Sequence, residues 1–99
     1  MAILVTADIP GGTEQQDLDM TREMNLSANP PKGFICKAGG AIPGGWRIIS
    51  LWESREAFEQ FFRERIQPAA NRMGRPPALM EFLEVTNVEV GRQAVAAVR

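Results

Sequence analysis

Lys37 stands between Cys36 and Ala38 in a strand-like run, an odd place for an ammonium unless it reaches a pocket or a rim. A lysine drawn out of water loses proton affinity and becomes a base or an anion anchor. The plainer alternative is an exposed lysine beside a turn. Arg47 lies across the expected hairpin from it, and two cations together suit a carboxylate or phenolate. Lys37 and Arg47 are the candidate catalytic residues. Trp46, Ser50 and Trp52 share one parity of the following run, so they face one side of a strand. Indoles there can stack on a flat aromatic ligand, with core packing as the competing reading. Gln16, Ser50 and Thr86 are the candidate orienting hydrogen-bond groups, and Met20, in step with Gln16 and Met24, is either ordinary packing or the soft wall of a pocket.

What is missing narrows the chemistry further. The 99 residues include no histidine and no tyrosine. Ser-His-Asp and Cys-His catalysis and histidine-ligated metals are therefore excluded, and no metal site or cofactor is expected. Catalysis must fall to the remaining polar side chains, an organic cofactor or the substrate itself. A single cysteine, Cys36, rules out an internal disulfide framework and reads as a small buried hydrophobe. Eleven basic and twelve acidic residues are interspersed, leaving a net charge of −1 and no basic stripe for nucleic acid. The glycine pairs fall at turns, and no phosphate-binding loop pattern is present. The apolar opening Ala2 to Val5 is soon interrupted by Asp8 and has no basic leader, so neither a signal peptide nor a membrane span is expected, and a cytoplasmic location is the default.

The elements that must position these residues centre on the stretch from Gly44 to Ile66. Trp46, Ile48, Ile49, Leu51 and Trp52 predict a strand. Ser54 ends it and caps a helix beginning at about Arg55, with Glu56 in the first turn. Phe58, Phe61, Phe62 and Ile66 line one face of that helix, and Arg55, Glu59 and Arg63 the other. Upstream, residues 2–8 predict a strand, and the Thr13/Gln16 capping box starts a helix running to about Leu26. The prolines at 30 and 31 force a loop. Phe34 to Ala38 predicts a second strand, joined to the next by a hairpin connection from Gly39 to Gly45. Pro68 should kink or restart the long helix, Gly74 should stop it, and residues 79–90 predict a last, long strand. The tail from Gly91 to Arg99 is either frayed or laid on a partner.

The order strand, helix, strand, strand, helix, strand predicts an α+β, ferredoxin-like βαββαβ domain over residues 1–90, an antiparallel sheet with two helices on one face. Ile3 beside Leu4 and Ile48 beside Ile49 put apolar groups on both strand faces, so the second face also needs cover. A second copy packing sheet against sheet supplies it, which predicts a homodimer.

Gly44-Gly45-Trp46-Arg47, Trp52-Glu53-Ser54 and Glu56-Ala57-Phe58, with Phe61 and Pro68, resemble small proteins of the dimeric α+β barrel superfamily. The nearest group looks like that of antibiotic-biosynthesis-type monooxygenases and their many uncharacterised relatives. The likeness spans roughly Val5 to Val90 in element order and is specific mainly from Gly33 to Pro68. It implies two sheets forming one barrel and, in each subunit, a small pocket between sheet and helices. Relatives often carry a tyrosine where Gln16 stands, histidines near Lys37 and Thr86, and an acidic residue near Ser50. None is present here, and haem lacks a ligand. Two expectations follow. One is a cofactor-independent monooxygenase acting on a small aromatic or polyketide-like molecule; the other is a non-catalytic dimer that binds a small ligand or partner.

Overall fold

The computed structural model describes residues 1–91, so the expectation for the tail falls, beyond Gly91, outside the described residues. In chain order the elements are β1 (Ala2–Pro10), α1 (Glu14–Glu23), β2 (Phe34–Ile42), β3 (Gly45–Trp52), α2 (Arg55–Phe61), a π-helical turn (Phe62–Ile66), α3 (Gln67–Met73) and β4 (Leu79–Val85). The four strands form one antiparallel sheet in the order β2-β3-β1-β4. This is the expected α+β, ferredoxin-like arrangement. No helix of the described residues is long and apolar enough to cross a membrane.

Local chemistry sets the helix starts. Thr13 Oγ1 accepts from Gln16 N at 3.1 Å, and Ser54 Oγ accepts from Ala57 N at 3.1 Å, each supplying one of the acceptors a first turn lacks. The helix after Ser54 does not break at Pro68 itself. It widens one turn earlier, where Gln67 N donates to the carbonyl of Phe62, and Pro68, which has no N–H to donate to the preceding turn, stands at the start of α3.

Four boundaries differ from expectation. β1 runs on from residue 8 to Pro10, because Ile9 and Pro10 stay in register opposite Trp46 and Gly45 of β3. β2 runs on to Ile42, because Gly39 and Gly40 stay in register opposite Ile48 and Arg47, and the hairpin shrinks to a turn at Pro43-Gly44. α1 stops at Glu23, before Leu26, where Asn25 takes a left-handed conformation at φ 53°. β4 stops at Val85, not 90, because Val85 already pairs with Ala2 at the start of β1 and no partner strand extends beyond it.

One sheet face meets the helices. Ile3, Val5, Trp52, Phe58 and Phe61 form the buried cluster there. Trp52 is 1 % exposed and touches the rings of Phe34, Phe58 and Phe61 at centroid distances of 5.2, 5.6 and 5.2 Å. On the other face Ile49, Leu79 and Leu83 stand 40, 69 and 60 % exposed. Cys36 belongs to that face too. The expectation that it is buried is corrected: a bulge between Phe34 and Cys36 changes the parity of β2, so Cys36 pairs with Leu51 and is exposed.

A polar cluster in the cavity between sheet and helices

The same bulge turns Lys37 the opposite way. Lys37 pairs with Ser50 and faces the helices with Phe34 and Trp52. Between the sheet and the helices lies a cavity of about 80 Å³, walled by Met20 and Met24 of α1 and its end, Phe61, Phe62 and Ile66 of the long helix, and Trp52 of β3. The π turn sets the last two of the helix residues into this wall. It also aims Arg65 at the loop after α1, where its guanidinium donates to the carbonyls of Met24 and Asn29 and ties down that edge.

Polar groups gather at one end. Lys37 Nζ donates to Asp17 Oδ1 at 2.6 Å and to Thr21 Oγ1 at 2.9 Å, with side chains 20 % (Lys37) and 12 % (Asp17) exposed. The other oxygen of Asp17 accepts from Trp46 Nε1 at 3.0 Å. Asp17 thus joins α1, β2 and β3 through one carboxylate, a charge-assisted arrangement whose strength grows as water is excluded. Ser50 Oγ accepts from Trp52 Nε1 at 2.9 Å, which fixes the indole that forms part of the wall.

Gly39 is required beside this cluster. A Cβ at that position would lie 2.7 Å from Asp17 Oδ2 and 2.9 Å from Trp46 Nε1. We expect Gly39→Ala to break the Trp46–Asp17 bond and to lower stability by about 1–3 kcal/mol. Urea unfolding checks this; an unchanged midpoint would show that the cluster yields without cost.

Arg75 completes the polar end. Gly74 ends α3 in the left-handed conformation at φ 66°, which turns the chain so that Arg75 N donates back to Ala70 O at 3.0 Å. The Arg75 side chain lines the cavity, and its buried Nε has no hydrogen-bond partner among the described residues. Burial pulls its pKa below the ordinary arginine value, partly offset by the charge of Asp17.

Of the residues singled out in the sequence, Gln16, Met20, Lys37, Ser50 and Trp52 line the cavity together. Trp46 is on the same side but spends its N–H on Asp17. Arg47 is not brought to Lys37. Its partner in β1 is Asp8, on the opposite face of the sheet, held through Nε–Oδ1 at 2.6 Å and Nη2–Oδ2 at 2.8 Å. That hydrogen bond holds the Asp8 carboxyl below its ordinary value of 3.8. A depressed carboxylate contributes stability above the unfolded value that is lost as pH falls through the folded one; on an exposed pair the contribution is small. Thr86 sits exposed in a bend beyond the end of β4, outside the cavity.

Asp17, Thr21 and Arg75 were not legible as site residues, though α1 carried a hint. Asp17 and Thr21 fall beside Gln16 and Met20 at the same four-residue step, so they share the inward side. Among the described residues no cluster of His, Cys, Asp or Glu could hold a metal ion.

No protein-family model matches the sequence, and no curated protein matches it either. Solved structures do share its fold. SnoaB from Streptomyces nogalater, a cofactor-independent oxygenase, superposes with a TM-score of 0.62 at 11% identity, over 88% of this chain and 94% of that one. A Caulobacter crescentus protein provisionally named an antibiotic biosynthesis monooxygenase gives 0.66 at 18% identity, over 87% and 91%. A conserved protein from Methanosarcina mazei gives 0.66 at 13%, over 87% and 94%.

Proposed function

We propose that the chain is a monooxygenase-like enzyme, independent of haem and metal, that acts on a small aromatic or polyketide-like molecule held in this cavity. The observation that carries the reading is the cavity itself: aromatic and methionine walls closed at one end by Lys37 and Arg75. The fold shared with a cofactor-independent oxygenase supports it.

The chemistry runs through the substrate. A CH₂ group beside a carbonyl or phenol loses a proton, and the enolate or phenolate oxygen so formed lies against the Lys37 ammonium, which favours the anion in a water-poor site. The carbanion passes one electron to O₂, the radical pair combines to a peroxide anion that takes back the proton lost in the first step, and loss of water from the resulting hydroperoxide leaves a ketone. CH₂ and O₂ become C=O and H₂O, so no outside reductant is consumed. Trp52, pinned by Ser50, supplies a flat surface for the ring.

An oxygen electrode with a panel of enolisable and phenolic aromatics tests the proposal. Uptake of one O₂ per ketone formed is expected. No uptake above the blank with any of them would discard it in favour of the second reading, a cavity that binds a ligand without turnover. One observation favours that alternative: the Lys37 ammonium already has Asp17 and Thr21 as acceptors.

The same reading includes a cytoplasmic homodimer. Ile49, Leu79 and Leu83 on the open sheet face would be covered by a second copy. Native mass spectrometry is expected to show two chains; a species of 10.9 kDa alone at micromolar concentration would overturn the dimer.

A further inference from the structure

Arg75, not Arg47, is the second cation of the site, and its state says what the ligand carries. Among the described residues three ionisable side chains line the cavity: Asp17, Lys37 and Arg75. The two oxygens of Asp17 are already engaged, one by Lys37 and the other by Trp46. Asp17 and Lys37 pair with each other, which leaves the Arg75 guanidinium with no carboxylate in ion-pair contact and its buried Nε with no acceptor among the described residues. A buried donor without an acceptor is costly, and more so on a charged group. An anionic oxygen arriving in the cavity removes both defects at once.

The cavity also limits the body attached to that oxygen. A cavity of about 150 Å³ lined by apolar side chains takes a benzene ring, and this one measures about 80 Å³. Met20 and Met24 are unbranched and repack readily, so the wall can yield to a single ring. A fused tricycle would have to displace the closely packed cluster of Trp52, Phe58 and Phe61.

We infer that the cavity takes a small organic monoanion of no more than one ring, its carboxylate or phenolate oxygen accepting from Arg75 Nε and its body lying against Met20, Met24 and Trp52. This rests on the proposed function only in placing a ligand in the cavity, and it narrows that ligand to single-ring acids.

The experiment is a titration of the full chain with benzoate, benzamide and anthracene-9-carboxylate, followed by calorimetry and by the ¹H–¹⁵N resonance of Arg75 Nε. Benzoate is expected to bind at least about tenfold more tightly than its uncharged isostere benzamide, as a hydrogen bond to a charged group implies, and to shift the Arg75 Nε resonance. The tricyclic acid is expected to bind more weakly than benzoate. Arg75→Gln is expected to erase the preference for benzoate over benzamide. Equal affinity for benzoate and benzamide, a preference that survives Arg75→Gln, tighter binding of the tricycle, or no binding of benzoate would each overturn the inference. Should Arg75→Gln fold poorly, the wild-type affinity ratio and the Nε shift decide alone. Benzoate bound at Arg75 with no oxygen uptake by any single-ring acid would remove the oxygenase reading and leave this one standing.

Discussion

Lys37→Met is expected to lower the rate of substrate-dependent oxygen uptake by about 100- to 1000-fold, the usual loss when one donor to a developing oxyanion is removed. The substitution keeps the length and apolar stem of the side chain and removes only the ammonium. It also leaves Asp17, whose side chain is 12 % exposed, with Trp46 as its remaining donor. A cost to stability of about 1–3 kcal/mol follows from that lost partner. The two effects separate in one set of measurements, with uptake assayed far below the unfolding midpoint and stability read from urea titration. A variant that is destabilised yet fully active would show that Lys37 serves only to hold α1 against the sheet, and the catalytic role would fall. Equal loss of kcat and kcat/KM would place the interaction in the transition state rather than in substrate binding.

Trp52→Ala is expected to produce the largest stability loss of any single substitution in the core, about 3–5 kcal/mol. Its indole packs on three phenylalanine rings and closes one wall of the cavity, and its N–H satisfies the buried Ser50 hydroxyl. Domains of this size hold only about 5–15 kcal/mol in total. At about 4–8 °C per kcal/mol, the melting temperature should drop by more than about 10 °C. Differential scanning calorimetry checks it. A drop of only a degree or two would mean that the cluster collapses into the space left, and that Trp52 is held for its ligand rather than for the core. Ser50→Ala in the same assay should cost far less, because Trp52 Nε1 alone is then left without its acceptor.

Periodicity and capping made most of the fold legible in advance. Ser54 and Thr13 mark helix starts because a hydroxyl at that point can accept from the first turn, a property of a few neighbouring residues. The aromatic face of Phe58, Phe61 and Phe62, and the shared side of Trp46, Ser50 and Trp52, follow from the fixed pitch of helix and strand. Gln16 and Met20 of α1 and Ser50 and Trp52 of β3 line one cavity, in keeping with that pitch.

Only the tertiary structure decided the rest, because it depends on register and on partners distant in the chain. A one-residue bulge at Ile35 sends Lys37 into the cavity and Cys36 out of it, and nothing local to that strand announces which way the parity falls. Register again separates Arg47 from Lys37 and gives it to Asp8. The strand beyond Val85 ends because β1 has run out, an event at the other end of the sequence. Arg75 reads as part of a proline-rich linker until Gly74 turns the chain back and lays it along the cavity. Local spacing determines which side chains share a face along an unbroken strand or helix; where a bulge resets that parity, and which charge meets which across the sheet and the helices, is determined by packing.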